Sequence, residues 1–281
     1  MSNQGKISET AIATASLRAL ACFEDDEGVR GKDQLAELFL PDDKKEPLKN
    51  SDFRNIIKKT IPEGLYEYVV ARTGYYDDLF IDYLKQGIPQ IVILGAGYDS
   101  RPYRYKDLIN DTLIYEVDAL ATQEHKRLIL QNNAVYYHKN IRYVSLDFEQ
   151  DDLMNVLCKD GFDPVLRTLF IWEGVTFYLN PVTVKTILQS LRSNSSKHSI
   201  LSFDFQNIDN EQGLIDAGLK DEIIRFGIEA KTLRKYLKGL GYTVIEHVDS
   251  EEMCKRYLTR SDGSCLGSIK SIMNIVKAEM I

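Results

Sequence analysis

IVILGAGYDSR, residues 91–101, decides the fold. Four aliphatic residues, Ile91 to Leu94, run directly into Gly95-Ala96-Gly97. A short apolar run that stops at glycines reads as a buried strand ending in a tight turn. Two glycines one residue apart let the backbone turn sharply and approach a ligand closely.

The same pattern recurs downstream. LIYEVD at 113–118, IRYVSLD at 141–147, LFIWEG at 169–174 and SILSFDF at 199–205 read as further strands. Between them, 121–131, 152–157 and 181–191 have helical spacing, and Pro181 suits a first helical turn. Strands that alternate with helices imply a parallel sheet covered on both faces. The segment 231–240 reads as a helix closed by Gly241, with YTVIEHVD at 242–249 and IMNIVKAEM at 272–280 as a hairpin-like final pair. The expectation is seven strands in an α/β, Rossmann-like sheet. The segment 206–229 is polar and Gly-punctuated and reads as a lid or insertion.

Residues 1–88 carry no strand pattern. Ile7–Phe23 is amphipathic with Ser8 and Glu9 at its start, and about 64–85 is a second helical run. PDDKKEP at 41–47 reads as an exposed connection. The chain thus divides into a helical extension, 1–88, and a sheet domain, 89–281.

Composition narrows the function. The 281 residues carry 35 Lys+Arg against 42 Asp+Glu, a formal charge of −7, which disfavours a general nucleic-acid binder. No apolar run approaches the ~20 residues of a membrane span. The N-terminus has no basic-then-apolar signal pattern. The four cysteines show no CxxC and the four histidines no zinc-ligand spacing, so no metal is expected, and a reduced, cytoplasmic protein is.

In an open α/β sheet, ligands bind beyond the carboxyl ends of the strands. The first strand ends at Gly95-Ala96-Gly97, but Ser100 stands where a dinucleotide fingerprint has its third glycine. The second ends at Asp118, 23 residues after Gly95, placed to accept from ribose hydroxyls or to cap the next helix. The third ends at Asp147-Phe148, a carboxylate and a ring suited to adenine, with a helix cap as the alternative. The fourth ends at Trp172-Glu173-Gly174, putting a carboxylate near the centre of the sheet. A glycine loop, three acidic strand ends and no third glycine suggest a nucleoside ligand without a pyrophosphate. S-adenosylmethionine fits, since acidic strand ends suit its sulfonium.

These residues carry a resemblance. Ala71-Arg72-Thr73 with Asp77-Asp78, the loop 91–101 with Tyr103-Arg104, Tyr115-Glu116-Val117-Asp118 with Gln123 and Lys126, Leu146-Asp147-Phe148, and Trp172-Glu173-Gly174-Val175-Thr176 with Tyr178-Leu179 follow one another over about 70–182. In this the sequence resembles the leucine carboxyl methyltransferase-like family, including bacterial O-methyltransferases associated with polyketide biosynthesis. Ser100 departs from the family's usual Thr. The resemblance implies a class I methyltransferase fold with S-adenosylmethionine as cofactor. It implies that Arg72 holds the methionine carboxylate, a match a guanidinium makes bidentately. Gly95, Ala96 and Gly97 would line the methionine end, Asp118 bind the ribose, and Asp147 and Phe148 flank the adenine. Glu173 would face the amino or sulfonium region. Tyr178 would reach the acceptor or pack as a buried aromatic. Asp99, Arg101 and Arg104 would brace the loop.

Methyl transfer is an in-line displacement, and a carboxylate acceptor is already ionised at neutral pH. A phenol needs a base, and no His–Asp pair is evident in the sequence. Methylation of a small-molecule or peptide carboxylate is therefore the favoured expectation, with a hydroxyl acceptor next. The N-terminal helices are expected to cover the cofactor and shape the acceptor site, with 206–229 as a second wall. Two rivals share the signals: a nicotinamide oxidoreductase, and a non-catalytic S-adenosylmethionine-binding protein.

Overall fold

The structure is a computed structural model, and it describes residues 8–136, 138–208, 223–270 and 272–281. Before the first strand lie four helices: α1 (Glu9–Ala21), α2 (Asp42–Leu48), α3 (Ser51–Thr60) and α4 (Leu65–Lys85). Ser8 caps α1 by accepting from the Ala11 amide at 3.1 Å. The connection expected at 41–47 is instead largely helix α2. Asp42 and Asp43 occupy its first turn and Lys45 its last, as the helix dipole favours.

Strands and helices then alternate: β1 (Gln90–Leu94), α5 (Arg101–Arg104), β2 (Leu113–Asp118), α6 (Leu120–Asn132), β3 (Ile141–Ser145), α7 (Leu153–Lys159), β4 (Thr168–Trp172), α8 (Pro181–Ser193) and β5 (Ile200–Asn207). The chain ends with β6 (Gly227–Ile228), α9 (Leu233–Gly239), β7 (Tyr242–Val248), α10 (Ser250–Tyr257) and β8 (Met273–Met280). Gly241, at φ +86°, follows α9 as the left-handed residue that ends a helix.

The sheet runs β3-β2-β1-β4-β5-β8-β7. The first five are parallel, and β8 pairs antiparallel with both β5 and β7. Seven strands were expected and eight occur among the described residues. The extra one, β6, is two residues pairing with Gln206 and Asn207 of β5. Two residues carry no periodicity to read. The reversed terminal pair lies where the sequence put it. Of the expected lid, 206–208 and 223–229 are described, and the rest lies outside the described residues.

Alternation along the strands divides the core. Ile91, Ile93, Ile114, Leu169 and Ile171 face one cluster; Val92, Leu94, Val117, Phe170 and Trp172 face the other. The first cluster also contains Ala15 and Leu20 of α1 and Tyr76 and Phe80 of α4. Helices α1 and α4 therefore help to cover one face of the sheet, beside Leu130 of α6 and Met253 of α10. That fixes α1 and α4 against the loop that follows β1.

Candidate functional site

The loop after β1 is tied to the end of β2. The amides of Gly95 and Ala96 both donate to the Val117 carbonyl, at 2.8 and 3.0 Å. Gly95 has φ +70°, and a Cβ there would lie 2.3 Å from Val175 Cγ2. Only glycine satisfies both conditions. The Gly97 amide donates to Asp118 Oδ2 at 2.5 Å, and the Ala119 amide to Oδ1 at 2.7 Å. Burial raises the Asp118 pKa, and these two amides oppose it. The alternative of a helix cap does not describe Asp118, because Ala119 is the cap residue of α6 and bears no side-chain cap.

Above the carboxyl ends of β1, β2 and β4 opens a cavity of about 350 Å³. That volume is in the range of small-ligand sites. Arg72, Gly95, Ala96, Gly97, Asp118, Asp147, Phe148, Glu173 and Tyr178 all line it. Every site residue expected from the sequence thus faces one space. Ala11, Thr14 and Arg18 of α1 form its cover. Asp147 does not cap α7, since Asp152 does so by accepting from the Asn155 amide. Asp147 Oδ1 accepts from the Glu149 amide, while Oδ2 is buried with no hydrogen-bond partner among the described residues. A buried acceptor without a donor calls for one. The Phe148 ring lies 6.3 Å from Trp172, which backs it from the core.

A chain of alternating buried charges forms the floor. Glu173 Oε1 accepts from Arg72 Nε at 3.0 Å and its Oε2 from Arg101 Nη1 at 2.7 Å. Arg72 also reaches Asp204, at 3.2 Å. Arg101 donates to Asp77 and Asp99, each at 2.8 Å. Arg104 donates to both oxygens of Asp77 and, at 2.7 Å, to Ser100 Oγ, which itself donates to Asp33 at 2.6 Å. Burial disfavours the Arg72 charge, yet Glu173, Tyr68 and Asp204 hold its pKa above the ordinary value. Burial likewise acts against Asp77 and Asp99, and the arginines pull both below the usual carboxylate range. Asp99, Arg101 and Arg104 brace the loop. Asp33, Asp77, Asp99, Glu173 and Asp204 face Arg18, Arg72, Arg101 and Arg104. Five carboxylates thus face four guanidiniums.

Sequence reading missed three participants. Asp204, fully buried on β5, accepts from the Tyr68 hydroxyl at 2.5 Å and from the Gly174 amide at 2.7 Å. An aspartate between two phenylalanines in a buried strand was the available signal. Arg18 donates to the Tyr98 carbonyl at 2.8 Å, fastening α1 to the glycine loop. Arg225 closes the far rim, its amide on the Phe177 carbonyl and its guanidinium 3.9 Å from Glu149.

Ser100 bears on the nicotinamide alternative. Its side chain is committed to Asp33 and Arg104, and the helix that follows is only the four residues of α5. Neither feature suits a pyrophosphate cradled on a helix N-terminus.

A model of the leucine carboxyl methyltransferase family matches residues 11–192. A protein of Mycobacterium avium (strain 104) named "Putative S-adenosyl-L-methionine-dependent methyltransferase" is 32% identical over 144 residues, 51% of this chain and 48% of its own length. A protein of the same name from Mycobacteroides abscessus is 27% identical over 274 residues, 89% of this chain and 87% of its own. The match thus spans about half the length of the first relative and most of the second. The crystal structure titled as a putative methyltransferase from Thermobifida fusca YX superimposes with a TM-score of 0.57, covering 95% of this chain and 94% of that one at 14% identity. That likeness establishes the shared fold. Among the described residues, no helix is long and apolar enough to cross a membrane.

Proposed function

The chain belongs to the leucine carboxyl methyltransferase family, and on that premise we propose that it transfers a methyl group from S-adenosylmethionine to a carboxylate oxygen of a small molecule or peptide. The observation that carries the cofactor is the single cavity into which the glycine loop, Asp118, Asp147 and Glu173 all open. Asp118 accepts from the ribose hydroxyls. The unpartnered Asp147 Oδ2 takes the adenine amine, beside the Phe148 ring. Arg72 holds the methionine carboxylate while remaining paired to Glu173.

S-adenosylmethionine supplies an electrophilic methyl on sulfur. The residues of the chain supply position: well-oriented proximity contributes on the order of 7–11 kcal/mol to such a displacement. The carboxylate acceptor is supported by the side chains present. No histidine or cysteine is among the described residues lining the cavity. Glu173 and Asp204 are each engaged by guanidinium or hydroxyl donors. Burial, and then Asp204, hold the Tyr68 phenol well above its ordinary pKa. An acceptor ionised at neutral pH needs no base.

The test is the chemistry of the product. The enzyme is given S-adenosylmethionine labelled in the methyl group together with a panel of carboxylic acids and phenols. Label on an acid, released as methanol by mild alkali, is expected. Label stable to alkali on a phenol would contradict carboxyl methylation.

A further inference from the structure

A second, smaller cavity of about 120 Å³ adjoins the first. Thr10, Thr14, Arg72, Gly174 and Tyr178 line both, so these residues form the junction. Beyond the junction the walls are mostly apolar: Ala13 and Leu17 from α1, Leu65 and Val69 from α4, with Phe177 and Ile272, while Tyr68 and Gln206 add polar atoms. Glu63 and Lys270 stand at the outer side, and both are exposed. This space is neither core nor cofactor site. Its junction with the larger cavity lies at Arg72, on the side where the methionine end of the cofactor is proposed.

We propose that the smaller cavity holds the acceptor, and that it selects a carboxylate borne on one six-membered ring or a short branched aliphatic chain. This rests on the methyltransferase reading given above and adds the class of acceptor to it. Size carries the argument. An apolar cavity of roughly 150 Å³ holds a single benzene ring, and this one is slightly smaller. A second fused ring would extend past the apolar walls toward Glu63 and Lys270 at the outer side. Polarity gives the orientation. The apolar body enters between Ala13, Leu17 and Val69, and the carboxylate sits at the junction, where Thr14 lines both cavities. One carboxylate oxygen then attacks the sulfonium methyl. The new bond is O–CH3, the S–CH3 bond breaks with its electrons passing to sulfur, and no proton moves.

The test uses the full chain, benzoate, 4-methylpentanoate, 2-naphthoate and anthracene-2-carboxylate, with S-adenosylhomocysteine formation as the readout. Benzoate or 4-methylpentanoate is expected to turn over at least tenfold faster, in kcat/KM, than either fused-ring acid. Ala13→Leu, which fills the cavity with a helix-forming residue, is expected to lower that kcat/KM at least tenfold. Its S-adenosylhomocysteine affinity is expected to stay within about twofold of the parent. Preference for a fused-ring acid, no turnover of any small acid, or indifference to Ala13→Leu would each overturn the proposal. If the parent protein does not bind S-adenosylhomocysteine at all, the cofactor reading itself fails. That outcome is read separately, by calorimetry without acceptor.

Discussion

Glu173 bridges two guanidiniums, with Oε1 on Arg72 at 3.0 Å and Oε2 on Arg101 at 2.7 Å. One carboxylate thereby couples α4, which carries Arg72, to the loop and short helix after β1, which carry Arg101. The central acid of the sheet is a structural joint as well as a wall of the cavity. Its negative charge is shared before any cofactor arrives.

That coupling makes Arg101 the most costly single deletion in the site. The residue is 1% exposed and bonds Asp77, Asp99 and Glu173. Arg101→Met leaves three buried carboxylates short of a partner. Removing one member of a buried ionic cluster costs ~3–5 kcal/mol. Urea unfolding of the variant is expected to show a loss of that size, and a loss below about 1 kcal/mol would contradict this account of the cluster.

Gly95 allows a sharper steric test. A methyl group at φ +70° costs ~1–2 kcal/mol in backbone strain, and here it also meets Val175 Cγ2 at 2.3 Å. Gly95→Ala is expected to abolish S-adenosylhomocysteine binding. Gly95→Ala combined with Val175→Ala is expected to recover part of it. Binding unaffected by the single substitution would mean that the loop does not hold the ligand.

Asp118 sets a pH dependence. Burial raises its pKa above the ordinary aspartate value of about 3.9. A raised folded-state pKa means that the proton is taken up earlier as pH falls, and the protonated group accepts less well from ribose hydroxyls. Cofactor affinity is therefore expected to weaken as pH falls, beginning at a higher pH than an unshifted aspartate would require. Stability follows the opposite sign for this residue, because the folded state binds the proton more tightly and Asp118 favours folding more at low pH. Calorimetric titration over a descending pH series, beside Asp118→Asn, checks the affinity. A profile identical to that of Asp118→Asn would contradict the role of Asp118.

Trp172 provides an optical report. It is the only tryptophan, fully buried, and its ring lies 6.3 Å from Phe148 on the cavity wall. Adenine stacking against Phe148 is expected to change tryptophan emission on addition of S-adenosylhomocysteine. Phe148→Ala is expected to remove that change and to weaken binding.

The sheet was legible because its strands are apolar runs that stop at glycine or acid: Gly95, Asp118, Asp147 and Glu173 punctuate the chain where the cavity opens. Parallel strands buried on both faces leave that mark by necessity. The eighth strand, β6, was not legible, since Gly227 and Ile228 join the sheet through pairing with β5 alone. Helix α2 was hidden by its polar composition, because seven residues that bury only Leu48 have no apolar stripe to show. Arg72 and Glu173 were named as ligand contacts, whereas their mutual ion pair depends on two residues 101 positions apart. Asp204 escaped notice for the same reason: its partners, Tyr68, Arg72 and Gly174, arrive from distant parts of the chain. Local pattern reports which residues are unusual, and tertiary contact decides how they share the work.

The most direct test of the central claim is a calorimetric titration of the purified protein with S-adenosylhomocysteine, NAD and NADP, beside the Asp118→Ala variant. Loss of hydrogen bonds to a charged acceptor costs ~1.5–3 kcal/mol. The account predicts micromolar binding of S-adenosylhomocysteine, weakened about tenfold to a hundredfold in the variant, and no binding of either nicotinamide cofactor. Absence of S-adenosylhomocysteine binding, or tighter binding of NAD or NADP, would contradict it.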